Sequence, residues 1–239
     1  MTIIDYFDRT SIINLPERAD RRAETRDEFR RAGWPIENNK ADFFSATRPE
    51  LANGFPSAGV RGCFLSHMNA IKKARYDNLA NILIMEDDIA FVTDIISIAS
   101  EALHELDQVN WGFLYLGHEH RSYDSPENRL ERITEPVPGK YFYAINCTIF
   151  DRFLEFLELV LERPPGHPDG GPMYYDGALS TFQMQNRDIN TYVVVPTLGY
   201  QRSSRSDLHP TSLLDELSLL TPFAKGVRRL KNILKRSTR

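Results

Sequence analysis

Three consecutive carboxylates, Glu86, Asp87 and Asp88, directly follow a run of four apolar residues at 82–85. A continuous apolar run that contains β-branched residues is typical of a strand buried on both faces of a parallel sheet. Unpaired carboxylates are not stable in such a core, because removing one from water costs several kcal/mol or more. We therefore expect these three acids, the acidic triplet, at the carboxyl end of the strand, the edge where open α/β sheets bind ligands.

Successive side chains of an extended chain point to opposite sides, so the three acids of the triplet should not all face the same way. Glu86 and Asp88 are expected to face one side, and Asp87 the other. Two neighbouring carboxylates suit Mg²⁺ or Mn²⁺, ions that keep coordination positions open for diphosphate oxygens. A triplet of this kind is, by itself, also compatible with an acidic turn that caps the next helix.

The first predicted strand, 11–15, contributes two further candidate residues. Asn14 lies at its polar exit, and Arg18 follows it. Arg18 lies near the start of a strongly charged helix predicted over 16–31. Most charges of this helix fit solvent-exposed i,i+4 ion pairs. Arg18 is the cation nearest the strand exit, and guanidinium groups favour phosphates and bases. The position therefore indicates contact with a phosphate or a base.

The segment 59–74 begins with glycines and continues with helical spacing of apolar residues. Glycine at the start of a helix lets a ligand approach the backbone, and free N–H groups there favour an anion such as a diphosphate. His67 lies on the apolar face of this helix, where a single histidine is commonly a hydrogen-bonded core residue. Cys63 is expected to be a small buried hydrophobe.

Asp176 begins a late helix after an irregular loop rich in Pro and Gly at 164–172. An aspartate at this position either caps the helix or acts in catalysis. His118 and His120 follow another predicted strand, 111–116. A His-x-His pair binds metal in some proteins, but without a third ligand it is a weak signal.

Strands alternate with helices along the chain of 239 residues, of which 41% are hydrophobic. This order predicts an α/β fold with a mostly parallel, doubly wound sheet and helices on both faces. We expect one domain over 1–210 and an extension over 211–239. Further strands are predicted at 41–46, 141–150 and 191–196, with a helix capped by Asp151, a polar surface excursion at 121–138 and an extended segment at 200–210.

The formal net charge of −4 is distributed unevenly. The segment 222–239 carries +7, so the remaining 221 residues carry −4 − 7 = −11. An acidic body argues against general nucleic-acid binding. In 222–239 the apolar residues form one stripe of a predicted helix and the basic residues cover the rest, which is typical of binding to an anionic membrane surface. The alternative is a basic end without fixed structure.

Two cysteines are too few for a disulfide framework and favour a reducing compartment. The first residues lack the basic-then-apolar order of a signal peptide, and no apolar run approaches the roughly 20 residues that span a bilayer. We therefore expect a cytoplasmic protein, peripheral on the inner face of the membrane if 222–239 binds there.

Four blocks of the sequence together resemble glycosyltransferase family 25, the lipooligosaccharide-biosynthesis and collagen-type galactosyltransferases. In chain order they are 13–15 with Arg18 and 20–22; 62–67, which reads Gly-Cys-Phe-Leu-Ser-His; 84–88 with the acidic triplet; and Asp176 followed by Gln201 and 206–207. The second block, some twenty residues before the triplet, is specific as a pair with it.

The resemblance implies a GT-A-like (Rossmann-like) fold, a UDP-sugar donor such as UDP-galactose or UDP-glucose, inversion at the anomeric carbon and Mn²⁺ or Mg²⁺. The acceptor would be a glycan or lipid-linked saccharide in cell-surface polysaccharide or lipooligosaccharide synthesis. Carried over by position, the residues expected at the nucleotide and diphosphate are Asn14, Arg18, Gly62, Ser66, His67, Glu86 and Asp87. Asp88 and Glu86 would hold the metal, with His209 or Asp207 completing its shell, and Asp176 would be the base.

Two other readings stay open. A metal-dependent phosphohydrolase also places acids after a strand, but those that attack with a carboxylate generally need an aspartate where Glu86 stands. The other reading is a nucleotide-sugar-binding relative without turnover, which would bind UDP but neither transfer nor hydrolyse the donor.

Overall fold

One mixed β-sheet with helices on both faces organises the protein. The computed structural model describes residues 2–34, 36, 40–119 and 128–202. Within these ranges the helices are α1 (Ile3–Tyr6), α2 (Ala19–Arg31), α3 (Ala58–Tyr76), α4 (Ile95–Leu106), α5 (Phe150–Glu162) and α6 (Tyr175–Gln185). The strands are β1 (Thr10–Asn14), β2 (Ala41–Ser45), β3 (Asn81–Glu86), β4 (Ile89–Phe91), β5 (Phe113–Gly117), β6 (Arg129–Ile133), β7 (Phe142–Asn146), β8 (Thr191–Val195) and β9 (Gly199–Gln201).

The main path of the sheet has the order β2-β1-β3-β7-β5-β8-β6. Strands β2, β1, β3, β5 and β8 run in one direction, whereas β7, between β3 and β5, and the edge strand β6 run in the other. Strands β4 and β9 pair with each other, and β9 also contacts β5. The carboxyl ends of β1 and β3 therefore lie side by side at one edge of the sheet.

The central strands divide their side chains between two cores, as a sheet covered on both faces requires. In β3, Ile82 and Ile84 pack on the face covered by α3, α5 and α6. Leu83 and Met85 pack on the opposite face, with α1, α2 and α4. All four side chains are buried. The predicted α/β class and the helices on both faces are confirmed.

Several predicted boundaries and strands need correction. The strand predicted over 141–150 ends at Asn146, because its side-chain oxygen accepts from the Thr148 N–H and starts a 3₁₀ turn. Helix α5 then begins at Phe150 with Ile149 as its N-cap residue, so Asp151 lies in its first turn and is not the cap.

Three short or polar strands were not predicted. β4 has three residues and follows the acidic triplet directly. β6 lies in the segment predicted as a surface excursion, and its polar composition reflects its place at the sheet edge. β9 occupies the start of the segment predicted as an extended tail.

Other predictions fall outside the described residues: those on His120, Ser206, Asp207, His209 and the basic helix at 222–239. Among the helices of the described ranges, none combines the length and the apolar character that crossing a membrane requires.

Candidate active site

A cleft of about 560 Å³ lies at the carboxyl ends of β1 and β3, between α2 and the start of α3. Its lining includes these residues of the predicted site: Arg18, Gly62, Ser66, His67, Glu86, Asp87 and Asp88. Arg21, Cys63, Tyr174, Gln201 and Arg202 line the same cleft. Residues from five separate parts of the chain are therefore brought together at this edge of the sheet.

The acidic triplet forms the turn between β3 and β4, and its middle residue is bonded to the protein. Asp87 is 5% exposed. One of its carboxylate oxygens accepts from Asn14 Nδ2 at 2.6 Å, and the other accepts from Arg21 Nη1 at 2.7 Å. Both oxygens of Asp87 thus have protein partners on β1 and α2. The predicted contact of this residue with a nucleotide stays a prediction.

The backbone of the triplet is also fixed. The carbonyl of Asp87 accepts from Thr25 Oγ1 and from Arg202 Nη2, each at 2.7 Å. The carbonyl of Asp88 accepts from the backbone N–H of Arg202 at 2.7 Å. Helix α2 and the residue after β9 therefore clamp the turn from two directions.

Asp88 has a different environment from Asp87. Its Oδ2 lies 3.6 Å from Arg21 Nη1, while its Oδ1 is buried and has no hydrogen-bond partner among the described residues. Burial raises the pKa of Asp88 to about 7, and the charge of Glu86 adds to the rise while Arg21 opposes it. A buried carboxylate oxygen without a donor, next to a second carboxylate, fits a cation.

Glu86 faces α3 and β9. Its Oε2 accepts from Gln201 Nε2 at 2.7 Å, and its Oε1 lies 3.8 Å from His67 Nε2. The Cys63 sulfur, a ring nitrogen of His67 and a carboxylate oxygen of Glu86 lie within 4.8 Å of one another. Among the described residues, these three side chains form a group that could hold a metal ion. These three side chains and Asp88 are the groups of this cleft that could ligate a metal.

His67 is held in place by two tyrosines. The ring is 1% exposed, and its Nδ1 lies 2.7 Å from the Tyr143 hydroxyl, which in turn donates to the Tyr175 hydroxyl at 2.8 Å. The imidazole also stacks on the Tyr175 ring, with centroids 4.2 Å apart. As expected of a histidine on an apolar face, it is hydrogen-bonded, but Nε2 is directed to Glu86 and has no hydrogen-bond partner in the described structure.

Gly62 and Ser66 connect α3 to the loop after β2. Helix α3 begins at Ala58 with Ser57 as N-cap, so Gly62 lies in its second turn. Of the glycines that begin this segment, Gly59 lies in the first turn, where a helix leaves its N–H groups without intrahelical partners, whereas Gly62 lies beyond it. Ser66 Oγ donates to the Gly62 carbonyl and accepts from the Thr47 N–H. The two residues shape the cleft wall, and their contact with a diphosphate stays a prediction.

Asn14 and Arg18 sit on either side of the β1 exit. Asn14 is buried and also accepts from Arg22 Nη1 at 2.8 Å, so it lies behind the cleft wall. Arg18 lines the cleft, and its guanidinium donates two hydrogen bonds to Asp20. Of the two, Arg18 is placed to reach a ligand in the cleft.

Asp176 lies in the first turn of α6 without a cap hydrogen bond of its own helix. Its Oδ1 accepts from the backbone N–H of Lys140 and lies 3.1 Å from Lys140 Nζ. The ammonium group is buried and also donates to the Val137 carbonyl and Ser180 Oγ. Lys140 precedes β7, whose start pairs with Met85 at the end of β3. Asp176 is thus tied to the same sheet edge, although it does not line the cleft itself.

Four positions at this site were not singled out from the sequence. Arg21 belongs to the block 20–22 but was one of several cations of that helix, and Arg202 follows the triplet by more than a hundred residues. Tyr143 lies in the strand predicted over 141–150, and Lys140 directly precedes it. The i,i+4 spacing of Cys63 and His67 was a signal that placed both on one helix face. His118 is 2% exposed and its Nε2 lies 3.0 Å from the Val194 carbonyl, which places it in the protein interior.

The fold and the cleft define a mixed α/β protein with an acidic site at the carboxyl edge of its sheet. Residues 53–146 match the family described as glycosyltransferase family 25 (LPS biosynthesis protein). This match contains α3, the triplet and β7, and it confirms the family resemblance predicted from the sequence blocks.

Individual relatives match over similar segments. Procollagen galactosyltransferase 1-A of Xenopus laevis is 37% identical over 83 residues, which are 34% of this chain and 12% of the relative. Procollagen galactosyltransferase 2 of Mus musculus is 28% identical over 87 residues, or 36% of this chain and 14% of the relative. The inactive glycosyltransferase 25 family member 3 of Homo sapiens is 26% identical over 151 residues, 56% of this chain and 24% of the relative.

The matched segments therefore span a quarter or less of these relatives' own lengths. Together with the family match they show that this part of the chain is similar to glycosyltransferases of family 25. A solved structure, the crystal structure of A197 from STIV, aligns with 81% of this chain and 85% of its own at 11% identity and a TM-score of 0.40. That likeness is too distant to argue for a fold or a function.

Proposed function

We propose that this protein is an inverting, metal-assisted glycosyltransferase with a GT-A-like fold. It would move galactose or glucose from a UDP-hexose to a glycan or lipid-linked acceptor in cell-surface polysaccharide or lipooligosaccharide synthesis. The family match over residues 53–146 and the galactosyltransferases among the relatives support this class of reaction. The acidic body and the basic segment 222–239 fit a cytoplasmic enzyme that works at an anionic membrane surface.

The observation that carries the proposal is the pair of carboxylates Glu86 and Asp88 in the cleft. Asp88 keeps a buried oxygen without a donor among the described residues, and its pKa is raised to about 7 by burial and by the charge of Glu86. Mn²⁺ or Mg²⁺ held by Asp88 and Glu86 would supply Lewis-acid charge for the departing diphosphate. His209, which lies outside the described residues, remains a proposed further ligand.

Around this centre, the protein's own residues bind and orient the donor. Arg18 lines the cleft next to the β1 exit and would contact the diphosphate or the uracil. Asp87, with both oxygens bonded to Asn14 and Arg21, keeps the turn rigid so that Glu86 and Asp88 stay in position. Gln201 fixes one oxygen of Glu86, and the other lies 3.8 Å from His67 Nε2 without a hydrogen bond to it.

Asp176 would act as the general base on the acceptor hydroxyl. Lys140 bonds to its Oδ1, and the other oxygen accepts no hydrogen bond from the described residues. Its side chain is 46% exposed, so an acceptor hydroxyl has access to the free oxygen. Lys140 is then a positioning residue that holds the carboxylate in one orientation, while Asp176 takes the proton as the hydroxyl attacks.

The test is Asp88→Ala, measured by thermal shift with UDP in the presence and absence of Mn²⁺, and by release of UDP from UDP-galactose and UDP-glucose. We expect the Mn²⁺-dependent binding of UDP to weaken roughly 100-fold, because the variant lacks the carboxylate that holds the ion. Donor turnover should be lost with it.

Asp188→Ala is the matched control, since Asp188 forms an exposed ion pair with Arg152 outside the cleft. It should bind UDP and turn the donor over like the wild type. Unchanged UDP binding and turnover in Asp88→Ala would show that the triplet is not the donor site.

A second candidate function is donor binding without turnover. The relative that aligns with 56% of this chain is named an inactive member of the family, and its match extends beyond those of the galactosyltransferases. A protein of this kind would give the UDP and Mn²⁺ thermal shift but release no UDP from either donor with any acceptor tried.

A further inference from the structure

Two side chains on successive turns of α3 face Glu86 across the cleft. Cys63 and His67 are four residues apart in the helix and therefore lie on one face. Their ligand atoms and a carboxylate oxygen of Glu86 all lie within 4.8 Å of one another. All three residues line the cleft, so an ion between them would also be open to it.

The spacing of the donor atoms is close to that of a tetrahedral metal site. Nitrogen and oxygen ligands about 2.1 Å from a zinc ion lie roughly 3.4 Å apart in a tetrahedron. His67 Nε2 and Glu86 Oε1 are 3.8 Å apart, so a small rotation of the Glu86 side chain brings them to that distance. Cys63 lies one turn before His67 on the same helix, with its Sγ within 4.8 Å of both ligand atoms.

The hydrogen bonds of His67 leave the correct nitrogen available. In the tautomer that carries the ring proton on Nδ1, His67 donates to the Tyr143 hydroxyl, which donates in turn to Tyr175. The lone pair is then on Nε2, which is buried and without a hydrogen-bond partner in the described ranges. A hydrogen bond from the second ring nitrogen to a fixed acceptor is the usual support of a metal-bound histidine.

The charges around Cys63 also favour a cation. The carboxylates of Glu86, Asp88 and Asp176 place negative charge around the Cys63 sulfur and disfavour a thiolate there. A bound cation reverses this effect, because it offsets the carboxylates and stabilises the thiolate.

We propose that Cys63, His67 and Glu86 bind a thiophilic divalent cation of the Zn²⁺ type, with a fourth coordination position open to the cleft. Sulfur, imidazole and carboxylate ligands in one three-residue set are typical of zinc, whereas Mg²⁺ and Mn²⁺ prefer oxygen ligands. On binding, the Sγ–metal bond forms and the thiol proton leaves to solvent, without any change in oxidation state. The site does not depend on the proposed transfer reaction, but it shares Glu86 with the proposed Mn²⁺ or Mg²⁺ site, so the two ions would compete.

The test is a Co²⁺ titration of the full, reduced and metal-stripped chain, followed by absorbance. We expect about one equivalent of Co²⁺ to give a thiolate-to-cobalt charge-transfer band in the near ultraviolet, and Zn²⁺ to displace it. Cys63→Ser should lose this band and bind Zn²⁺ at least roughly 100-fold more weakly. Cys147→Ser is the matched control, because Cys147 is the exposed cysteine of the chain and should not alter the spectrum.

His67→Asn gives a second measurement of the same site, with circular dichroism to establish that the variant is folded. A folded His67→Asn that keeps wild-type Zn²⁺ affinity, a charge-transfer band that survives in Cys63→Ser, or Co²⁺ bound without such a band would each overturn the proposal.

Asp88→Asn separates this metal site from the proposed transfer reaction, since the variant should keep the cobalt band. In the wild-type chain, a cobalt band without donor turnover counts against the proposed function alone, whereas turnover without the band counts against this metal site alone.

Discussion

Three acids of nearly the same chemistry stand next to one another in the triplet and have three different environments. Both oxygens of Asp87 accept hydrogen bonds, from Asn14 and Arg21. One oxygen of Glu86 accepts from Gln201. Asp88 has a buried oxygen without a hydrogen-bond partner among the described residues. The bonding of each carboxylate therefore separates a structural role from a ligand-binding role within one turn.

At this scale we predict that Asp87→Asn destabilises the protein by about 2–4 kcal/mol, because it leaves the buried guanidinium of Arg21 facing an amide. The side chains of Arg21 and Asp87 are 13% and 7% exposed, so water does not replace the lost contact. Asp88 lies 3.6 Å from Arg21 and still offsets part of its charge. The loss of stability should therefore be smaller than for a buried charge with no partner. Urea unfolding measures the change.

Asp20→Asn is the control for this variant, since the side chain of Asp20 is 62% exposed in its pair with Arg18. Its free energy of unfolding should fall by less than about 1 kcal/mol. Equal stability of Asp87→Asn and the wild type would mean that the buried pair contributes nothing.

Much of the residue-level site was predictable from the sequence, and the reason differs by residue. The triplet, Arg18 and His67 follow from strand ends and helix faces, which local patterns indicate. The hydrogen bonds from Arg202 and Gln201 were not predictable, because they join positions 115 residues apart along the chain. The metal-type arrangement of Cys63 was missed because a single cysteine in an apolar helix is usually a core residue.

At the scale of elements, α3 is held against the loop after β2 by the absence of a side chain at Gly62. A Cβ at this position would lie 2.6 Å from the Thr47 carbonyl oxygen and 3.0 Å from Pro49 Cδ. Ser66 then binds the Thr47 N–H, so helix and loop form one wall of the cleft.

We predict that Gly62→Ala destabilises the protein by about 1–3 kcal/mol, because the helix or the loop must shift to admit the methyl group. Thermal unfolding measures this, and weaker UDP binding should accompany it if the loop moves. Gly177→Ala in α6 is the matched control, because a Cβ there would meet only the flexible Met173 side chain, at 3.3 Å. Ala has the better helix propensity, so this variant should be as stable as the wild type or more stable by up to about 1 kcal/mol. Similar losses in the two variants would contradict the close contact at Gly62.

The direction of the strands shows what the sequence could not predict at this scale. Apolar runs located β1, β3, β5, β7 and β8, because burial on both faces requires such runs. The same pattern carries no information on direction, so the antiparallel placement of β7 between β3 and β5 was not predicted. The strands β4 and β9 are too short for any periodicity.

At the scale of the whole molecule, the charge is divided between an acidic body and the basic segment 222–239, which carries +7. We predict that the full chain sediments with vesicles that contain phosphatidylserine but not with vesicles of phosphatidylcholine alone, since each cation near an anionic surface contributes about 1 kcal/mol. A chain that ends at Leu220 should remain in the supernatant with both.

Two results would contradict this membrane prediction. One is equal sedimentation of the shortened and full chains, which would place the binding elsewhere. The other is equal binding to both kinds of vesicle, which would exclude an electrostatic cause.

The clamp on the triplet also has a consequence for biosynthesis. Gln201 and Arg202 bond to Glu86 and Asp87 from 115 positions later, so the ribosome releases the acids long before their last partners. Until residue 202 has left the exit tunnel, the nascent chain exposes a carboxylate cluster held only by β1 and α2. The family-matched segment 53–146 contains neither β1 and α2 nor Gln201 and Arg202. Expressed alone, it would expose the three acids to solvent without the hydrogen bonds that give each its own environment.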